Sequence, residues 1–465
     1  MTLHRTIRLL LSTAAVLTVV SLAPSALADN GGLPMAEPES VGMSSERLER
    51  IGVGMRRLID DDKIPGTVSL VARRGKVVHF ETNGLRDVEA GLPMEHDTIF
   101  RLYSQSKVVT GAAVMILFEE GHFLMTDPVS KYLPEFAEME VYLGEENGEI
   151  LTEPAGPITI QQLATHTSGL TYGFIPTPVG KMYTEKGVVA TGTPVTPRHL
   201  RILRRLGLPI EGEDETVAPR ASLKEWSERL GTLPLVAQPG TEWHYSVGMD
   251  VLGRLVEAVS GMSFGEFLRA RLFDPLEMPD TGFHVPDSKV ARFAANYGPA
   301  EGGGMALIDD PETSAYRTPP ALEMGGAGLV GTVGDYFRFA QMLANKGEFQ
   351  GTRILGRRTV EFMTANHLSP LFPDDPMTSL RNQLGASARQ WGAGFGITGS
   401  VVTNPATSGL PVSKGTFGWG GAATTGFWVD HEEEIVGIVH TQLTPSGTYP
   451  VRELMQLLTY QAIID

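Results

Sequence analysis

The spacing of apolar positions changes character along the chain. Between Ser44 and Met55, Leu48, Ile51 and Met55 recur at helical spacing, which lines one face of a helix. Thr67-Val68-Ser69-Leu70-Val71 and Val77-Val78-His79-Phe80 flank Arg73-Arg74-Gly75-Lys76, the pattern of two strands joined by a turn. Phe100 to Leu102 is a short extended lead into a helix that begins near Ser104. Val108, Val109, Ala112, Ala113, Met115, Ile116 and Leu117 make that helix apolar on almost every side, so it is predicted to be buried and central, with Gly121 as its stop. From about residue 122 to 320 helical patterns and long loops dominate. Ser222-Leu223-Lys224-Glu225 opens one helix with a capping box. Val247, Val251, Leu255 and Val259 stripe another, which Gly261 closes. Residues 175–220 have no clear period and hold Pro176, Pro178, Gly180, Gly187, Pro194 and Pro197, so they read as a long loop or lid. Thr424 to Val429 and Ile435 to Leu443 alternate as a hairpin around Asp430-His431-Glu432-Glu433, and a last helix runs from about Arg452 to Ile463.

The order is therefore strands, helices, strands, helix. Strands from both ends of the chain can join one antiparallel sheet while the middle forms a helical region, an α+β or mixed three-layer arrangement with a cleft between its parts. This assigns residues 43–121 and 322–465 to the sheet region and 122–321 to an all-helical region. Residues 29–42, rich in Gly, Pro and Glu, read as a leader strand or linker.

Composition narrows the function. The chain has 465 residues, 42% of them hydrophobic, enough for a large core. The net charge of −16 gives no reason to expect nucleic acid or an anionic membrane as partner. Without cysteine, disulfides, thiolate metal sites and cysteine nucleophiles are excluded. His4, Arg5 and Arg8 precede an apolar run from Leu9 to Leu22 and then Ala26-Leu27-Ala28, which fits a cleaved signal peptide over residues 1–28. The alternative is an uncleaved anchor helix, but the run is short for a span of ~20 apolar residues. The expectation is an exported protein, periplasmic or secreted, with no stable membrane span after cleavage.

Four stretches could carry chemistry. Ser104-Gln105-Ser106-Lys107 puts a hydroxyl and an amine about one helical turn apart, on one face. Burial disfavours a charged lysine, and a neutral amine beside a serine can take its proton. Alone, the motif is equally a helix cap with a solvated lysine. Trp243-His244-Tyr245-Ser246-Val247 follows the Gln238-Pro239-Gly240 turn, so Tyr245 sits at a loop-to-helix junction. It is either a proton carrier or an interface tyrosine with a satisfied hydroxyl. Phe417-Gly418-Trp419-Gly420-Gly421-Ala422 precedes the last hairpin; such a backbone can approach a ligand and offer an N–H, or simply form a turn around one tryptophan. Gly261-Met262-Ser263-Phe264-Gly265 matches the G-x-S-x-G nucleophile elbow, but that elbow needs a strand before its serine and here a helix precedes it. Ser263-Phe264-Gly265-Glu266 reads better as a capping box. The 11 histidines show no metal spacing. Gly325-Gly326-Ala327-Gly328 lacks the lysine of a phosphate loop and reads as a tight turn before a Val333–Leu343 helix. No cofactor or metal is called for.

The first three elements, in this order and rough spacing, resemble the penicillin-recognising serine enzymes. The chain is similar to class C β-lactamases and most of all, in its motifs, to family VIII carboxylesterases, over about residues 40–463. Leu163-Ala164-Thr165-His166-Thr167-Ser168-Gly169-Leu170, and Gly326-Ala327-Gly328-Leu329 followed by Asp335-Tyr336-Phe337-Arg338-Phe339-Ala340, look like the same family. The resemblance implies the β-lactamase/transpeptidase-like fold, an antiparallel sheet flanked by helices plus a helical region. It implies Ser104 as nucleophile, Lys107 and Tyr245 as proton handlers, and the N–H groups of Ser104 and Ala422 as an oxyanion hole. Trp419, Gly420, Gly421 and Ala422 would contact substrate, and His166 would be a structural helix end. Two departures bear on substrate. Class C enzymes have Tyr-x-Asn where this chain has Val247, and Lys-Thr-Gly where it has Trp419-Gly420-Gly421; Lys414 is out of register. Losing a cationic contact to a carboxylate costs ~1.5–3 kcal/mol of recognition. Trp-Gly-Gly is similar to the family VIII esterases and the statin-side-chain acyltransferases, and an aromatic wall suits an apolar group. The expected activity is hydrolysis of small neutral esters, the alternatives being a β-lactamase, a D-amino-acid peptidase or an acyltransferase. The partner implied is a small-molecule ester or amide; oligomeric state is left open.

Overall fold

The computed structural model describes residues 31–188, 222–368 and 394–465. Residues 1–28, read as a signal peptide, and most of the 175–220 segment read as a lid lie outside them. Strands from the two ends of the chain build one eight-stranded sheet. Its order is β12 (Gly394–Phe395), β13 (Ser400–Val401), β14 (Phe417–Gly420), β15 (Gly426–Asp430), β16 (Ile435–His440), β1 (Gly66–Arg73), β2 (Lys76–Asp87) and β3 (Leu92–Pro93). All neighbours are antiparallel, and the seam between the two chain ends runs from Val68 opposite His440 to Arg73 opposite Ile435.

Every residue of β1 is buried, because the sheet is covered on both faces. Val68, Leu70 and Ala72 join the larger core. Val71 faces a second core, made with α1 (Ser45–Asp60) and the C-terminal helix Val451–Tyr460. The Ser44 side chain caps α1 by accepting from the Arg47 N–H, and Leu48, Ile51, Met55 and Leu58 form its buried stripe. On the opposite face the helix Val333–Ala344 packs on the strands, and in the same larger core α2 (Ser106–Glu119) has every residue from Ser106 to Leu117 buried, as its all-round apolar character predicts.

The remaining helices used below are α3 (Ile160–Ala164), α4 (Pro178–Glu185), α5 (Leu223–Leu230), α6 (Gly248–Ser260), α7 (Phe264–Leu268), α8 (Val333–Ala344) and α9, the C-terminal helix Val451–Tyr460. The Ser222 capping box opens α5, and Gly261 closes α6 with φ +73°, both as predicted. Among the described residues no helix is long and apolar enough to cross a membrane.

Three expectations are corrected. Residues 33–42 are not a linker: Met35 bridges to Val77, Pro38–Val41 forms one 3-10 turn, and Leu33 and Val41 are buried. Residues 122–321 are not all helical, since they carry the hairpins β5 (Glu140–Glu146)/β6 (Glu149–Pro154) and β7 (Asn296–Pro299)/β8 (Met305–Asp309). The segment from residue 175 is not loop throughout. Pro178 opens α4 at its first turn, where the missing N–H costs nothing, and the Thr177 side chain caps it by accepting from the Gly180 N–H.

Candidate active site

The strand pair β4 (Phe100–Arg101)/β9 (Val330–Gly331) delivers the chain to the start of α2. Between them lies one 3-10 turn, Tyr103–Gln105, so Ser104 stands just before α2 rather than inside it. Tyr103 has φ +45°, a left-handed conformation that costs a non-glycine residue ~1–3 kcal/mol and persists only where its surroundings hold it. They do so here. The Leu102 N–H donates to Leu329 O at 2.9 Å, the Leu329 N–H to Ser106 Oγ at 3.1 Å, and Tyr336 Oη to Gln105 O at 3.1 Å. The Gln105 side chain meets His440 Nε2 at 3.1 Å. Both residues between Ser104 and Lys107 thus anchor the turn.

An amine from the next turn and a phenol from a distant part of the chain meet Ser104 there. Lys107 Nζ lies 3.0 Å from Ser104 Oγ and donates to Gly326 O at 2.6 Å. Tyr245 Oη donates to Ser104 Oγ at 2.8 Å. Lys107 is fully buried and Ser104 partly exposed, so the serine can be reached from solvent while the lysine lies inside the fold. The Lys107 Nζ also sits 4.8 Å from the centroid of the Tyr245 ring and 5.4 Å from that of Tyr172.

An aromatic nest fixes Tyr245. Its ring centroid is 4.8 Å from His166, 5.1 Å from Tyr172 and 5.9 Å from Trp419. His166 stands two residues after α3 with φ +60°, and its Nδ1 meets Ser246 Oγ at 3.0 Å. Burial, and next the Lys107 charge, hold its pKa well below the usual value, so it supports the Tyr245 segment as a neutral ring.

Asp250 was not anticipated. It lies in the first turn of α6, fully buried, and accepts from the Gly326 N–H at 2.6 Å. Burial pushes its carboxyl up to about 7, against the opposing pull of Lys107 and that N–H. Gly326 therefore links both groups: its N–H meets Asp250 and its carbonyl meets Lys107. A Cβ there would come within 2.9 Å of the Asp250 carboxylate, which is why glycine is needed at 326. In sequence, an acidic residue in a helix first turn reads as ordinary dipole complementation, so Asp250 gave no distinct signal.

The Trp419–Ala422 stretch divides. Trp419 is 3% exposed and packs edge-on against Phe395 at 5.4 Å as well as against Tyr245. Its ring backs the tyrosine. A Cβ at Gly421 would lie 2.0 Å from Leu102 O, so only glycine lets this backbone rest on the lead into the Ser104 turn. Ala422 is exposed between buried neighbours. Val247, at the cap of α6, is buried and Lys414 is exposed on the turn before β14. Ser263 is an N-cap: its Oγ accepts from the Glu266 N–H and the Glu266 carboxylate accepts from the Ser263 N–H, both at 3.2 Å.

The sequence model of the family described as Beta-lactamase matches residues 54–460. The chain belongs to the beta-lactamase family. Within it, the chain is similar to Protein Rv1367c of Mycobacterium tuberculosis, 34% identical over 84% of this chain and 89% of that one. It is similar to Esterase EstB of Burkholderia gladioli, 30% identical over 85% of this chain and 90% of that one. Among solved structures it resembles EstCE1, described as a hydrolase with promiscuous acyltransferase activity, with a TM-score of 0.67 and 26% identity over 89% of this chain and 99% of that one. The fold is thus the serine beta-lactamase fold, and named relatives in this family are esterases and acyltransferases.

Proposed function

We propose that this protein is a serine carboxylesterase that forms an acyl-enzyme at Ser104 and acts on small neutral esters. The observation that carries the reading is one oxygen, Ser104 Oγ, with an amine 3.0 Å and a phenol 2.8 Å away, both nearly inaccessible to water. In acylation Oγ attacks the ester carbonyl carbon and gives its proton to this pair. The tetrahedral oxyanion is received by the N–H groups of Ser104 and Ala422. As it collapses, the alkoxide leaves and takes a proton back from the pair, which leaves the acyl group on Oγ. Water, deprotonated by the same pair, repeats the sequence and releases the acid. An alcohol in place of that water completes acyl transfer by identical steps.

Two features support ester over β-lactam. Val247 offers no side-chain hydrogen bond where an amide would be held, and Trp419-Gly420-Gly421 stands before Ala422 in place of Lys-Thr-Gly, with Lys414 out of register to meet a carboxylate. The relative named an esterase agrees with this. The test is a panel of p-nitrophenyl acetate, p-nitrophenyl butyrate and nitrocefin with wild type and Ser104→Ala, followed by fluorophosphonate labelling and peptide mapping. The expected result is ester turnover above lactam turnover and an adduct on Ser104. Faster nitrocefin hydrolysis, or an adduct on Ser263, would overturn it.

A further inference from the structure

Arg452, in the first turn of α9, is a buried guanidinium that the acyl-enzyme chemistry above does not use. It reaches across two strands of the sheet. A Cβ on Gly420 would lie 2.6 Å from Arg452 Cζ, and one on Gly426 would lie 3.1 Å from its Cδ. Gly420 and Gly426 are register partners, so two facing glycines clear the passage for this one side chain. Gly420, expected from sequence to contact substrate, makes room for Arg452. Beyond them Arg452 Nη2 donates to Gly421 O, which also accepts from the Thr424 N–H at 3.1 Å.

The covalent geometry gives that bond a consequence. The Gly421 carbonyl and the Ala422 N–H belong to one peptide unit. The cis peptide recorded in the described residues is Thr444–Pro445, so this unit is trans and its C=O and N–H point in opposite directions. Whatever holds the Gly421 carbonyl also aims the Ala422 N–H. Arg452 holds it from within the fold, and Ala422 is exposed while Gly421 is buried. A cation on the carbonyl also draws electron density through the amide and makes its N–H a stronger donor. We propose that Arg452 is a positioning residue for acyl transfer, fixing and polarising the Gly421–Ala422 peptide so that the Ala422 N–H meets the oxyanion formed at Ser104. The inference rests on the esterase reading above. Burial brings the guanidinium down to about 10, so the residue remains a cation through the neutral range.

The test uses the full chain with Arg452→Met and Arg452→Lys. An oxyanion donor acts on the tetrahedral state and not on the bound ester; losing one outright costs ~10²–10³ in kcat, and misaiming it less. For Arg452→Met the expected result is a fall in kcat of ~10–100-fold on p-nitrophenyl butyrate with KM within ~3-fold. Affinity for phenylboronic acid, whose tetrahedral adduct places an oxygen anion in the same spot, falls by a similar factor. Arg452→Lys recovers part of both, and the acid limb of the kcat/KM profile stays where wild type has it. A folded Arg452→Met variant with unchanged kcat, or a fall in kcat with boronate affinity intact, overturns the proposal. Should Arg452→Met fail to fold, Arg452→Lys is judged by the same pairing of kcat and boronate affinity. Fluorophosphonate labelling separates the two levels: wild type unlabelled at Ser104 sinks the esterase reading itself, whereas normal labelling with an unaffected Arg452 variant sinks only this inference.

Discussion

Two serines in this chain carry a nucleophile motif, and both stand at the start of a helix. Ser104 opens S-x-x-K and Ser263 centres G-x-S-x-G. Their hydroxyls differ in what they touch. Ser263 Oγ is used by its own helix, accepting from the Glu266 N–H. Ser104 Oγ has no such local task. Its neighbours are an amine from the next turn and a phenol from 141 positions along the chain. Preceding backbone differs too, since Tyr103 is forced to φ +45° while Ser263 follows the ordinary stop glycine of α6. Reactivity in a serine thus follows from the partners a fold assembles around the oxygen, and a short motif reports only half of them.

The comparison can be broken most sharply by removing each hydroxyl. Ser104→Ala should lower p-nitrophenyl butyrate turnover by ~10⁴-fold or more, and Ser263→Ala should leave kcat within about twofold. The reverse outcome would exchange their roles. Lys107→Met and Tyr245→Phe should each cost ~10²–10⁴ in kcat, the usual range for a lost proton carrier; a smaller loss in either variant would assign proton transfer to the other partner.

The network behind Ser104 should show in the pH dependence of stability. His440, which braces Gln105, is buried and brought down to about 3, and His79 to about 4. The folded state keeps these rings neutral while the unfolded chain protonates them near 6.5. Their stabilisation is therefore present above about 6.5 and is lost as pH falls toward 3–4. Asp250 has the opposite sign. With its carboxyl raised to about 7, its contribution is full below the unfolded value near 4 and is lost as pH rises through 7. Thermal melts from pH 4 to 8 should show Asp250→Asn flattening the upper part of this window and His440→Gln the lower; unchanged slopes would rule those residues out. The smallest effect belongs to the second serine. Loss of the Ser263 cap should cost ~1 kcal/mol in a denaturant titration, and a value near zero would mean that Glu266 holds the helix end alone.

Much of the scaffold was legible because its signals are local. The α1 stripe, the β1–β2 hairpin, the Ser222 box and the Gly261 stop each depend on residues within a few positions of one another. The β5–β6 hairpin carries an equally local signal at its turn and a weak one in its strands. Asn147-Gly148 sits at its turn with φ +53° and +82°, the sequence preferred for a two-residue hairpin turn, but its strands are largely exposed and so lack a clean alternation. Pro178 reads as a breaker in the sequence yet opens a helix, since proline acts both ways according to position. The packing of Trp419 against Tyr245 and Phe395 has no local signal, because nothing in the sequence says what each face of β14 meets.

The sequence alone determined the helices and strands whose apolar spacing is regular, which helix is buried on all sides, and which residues could supply a hydroxyl, an amine and a phenol. These follow from periodicity and side-chain chemistry, both carried by the residues themselves. Only the tertiary structure decided that Asp250 and Lys107 share Gly326, that His166 and Trp419 brace Tyr245, and that Arg452 passes between Gly420 and Gly426 to reach Gly421. Each of these joins positions far apart in the chain, where contact is set by how sheet and helices close on one another and leaves no trace in local spacing.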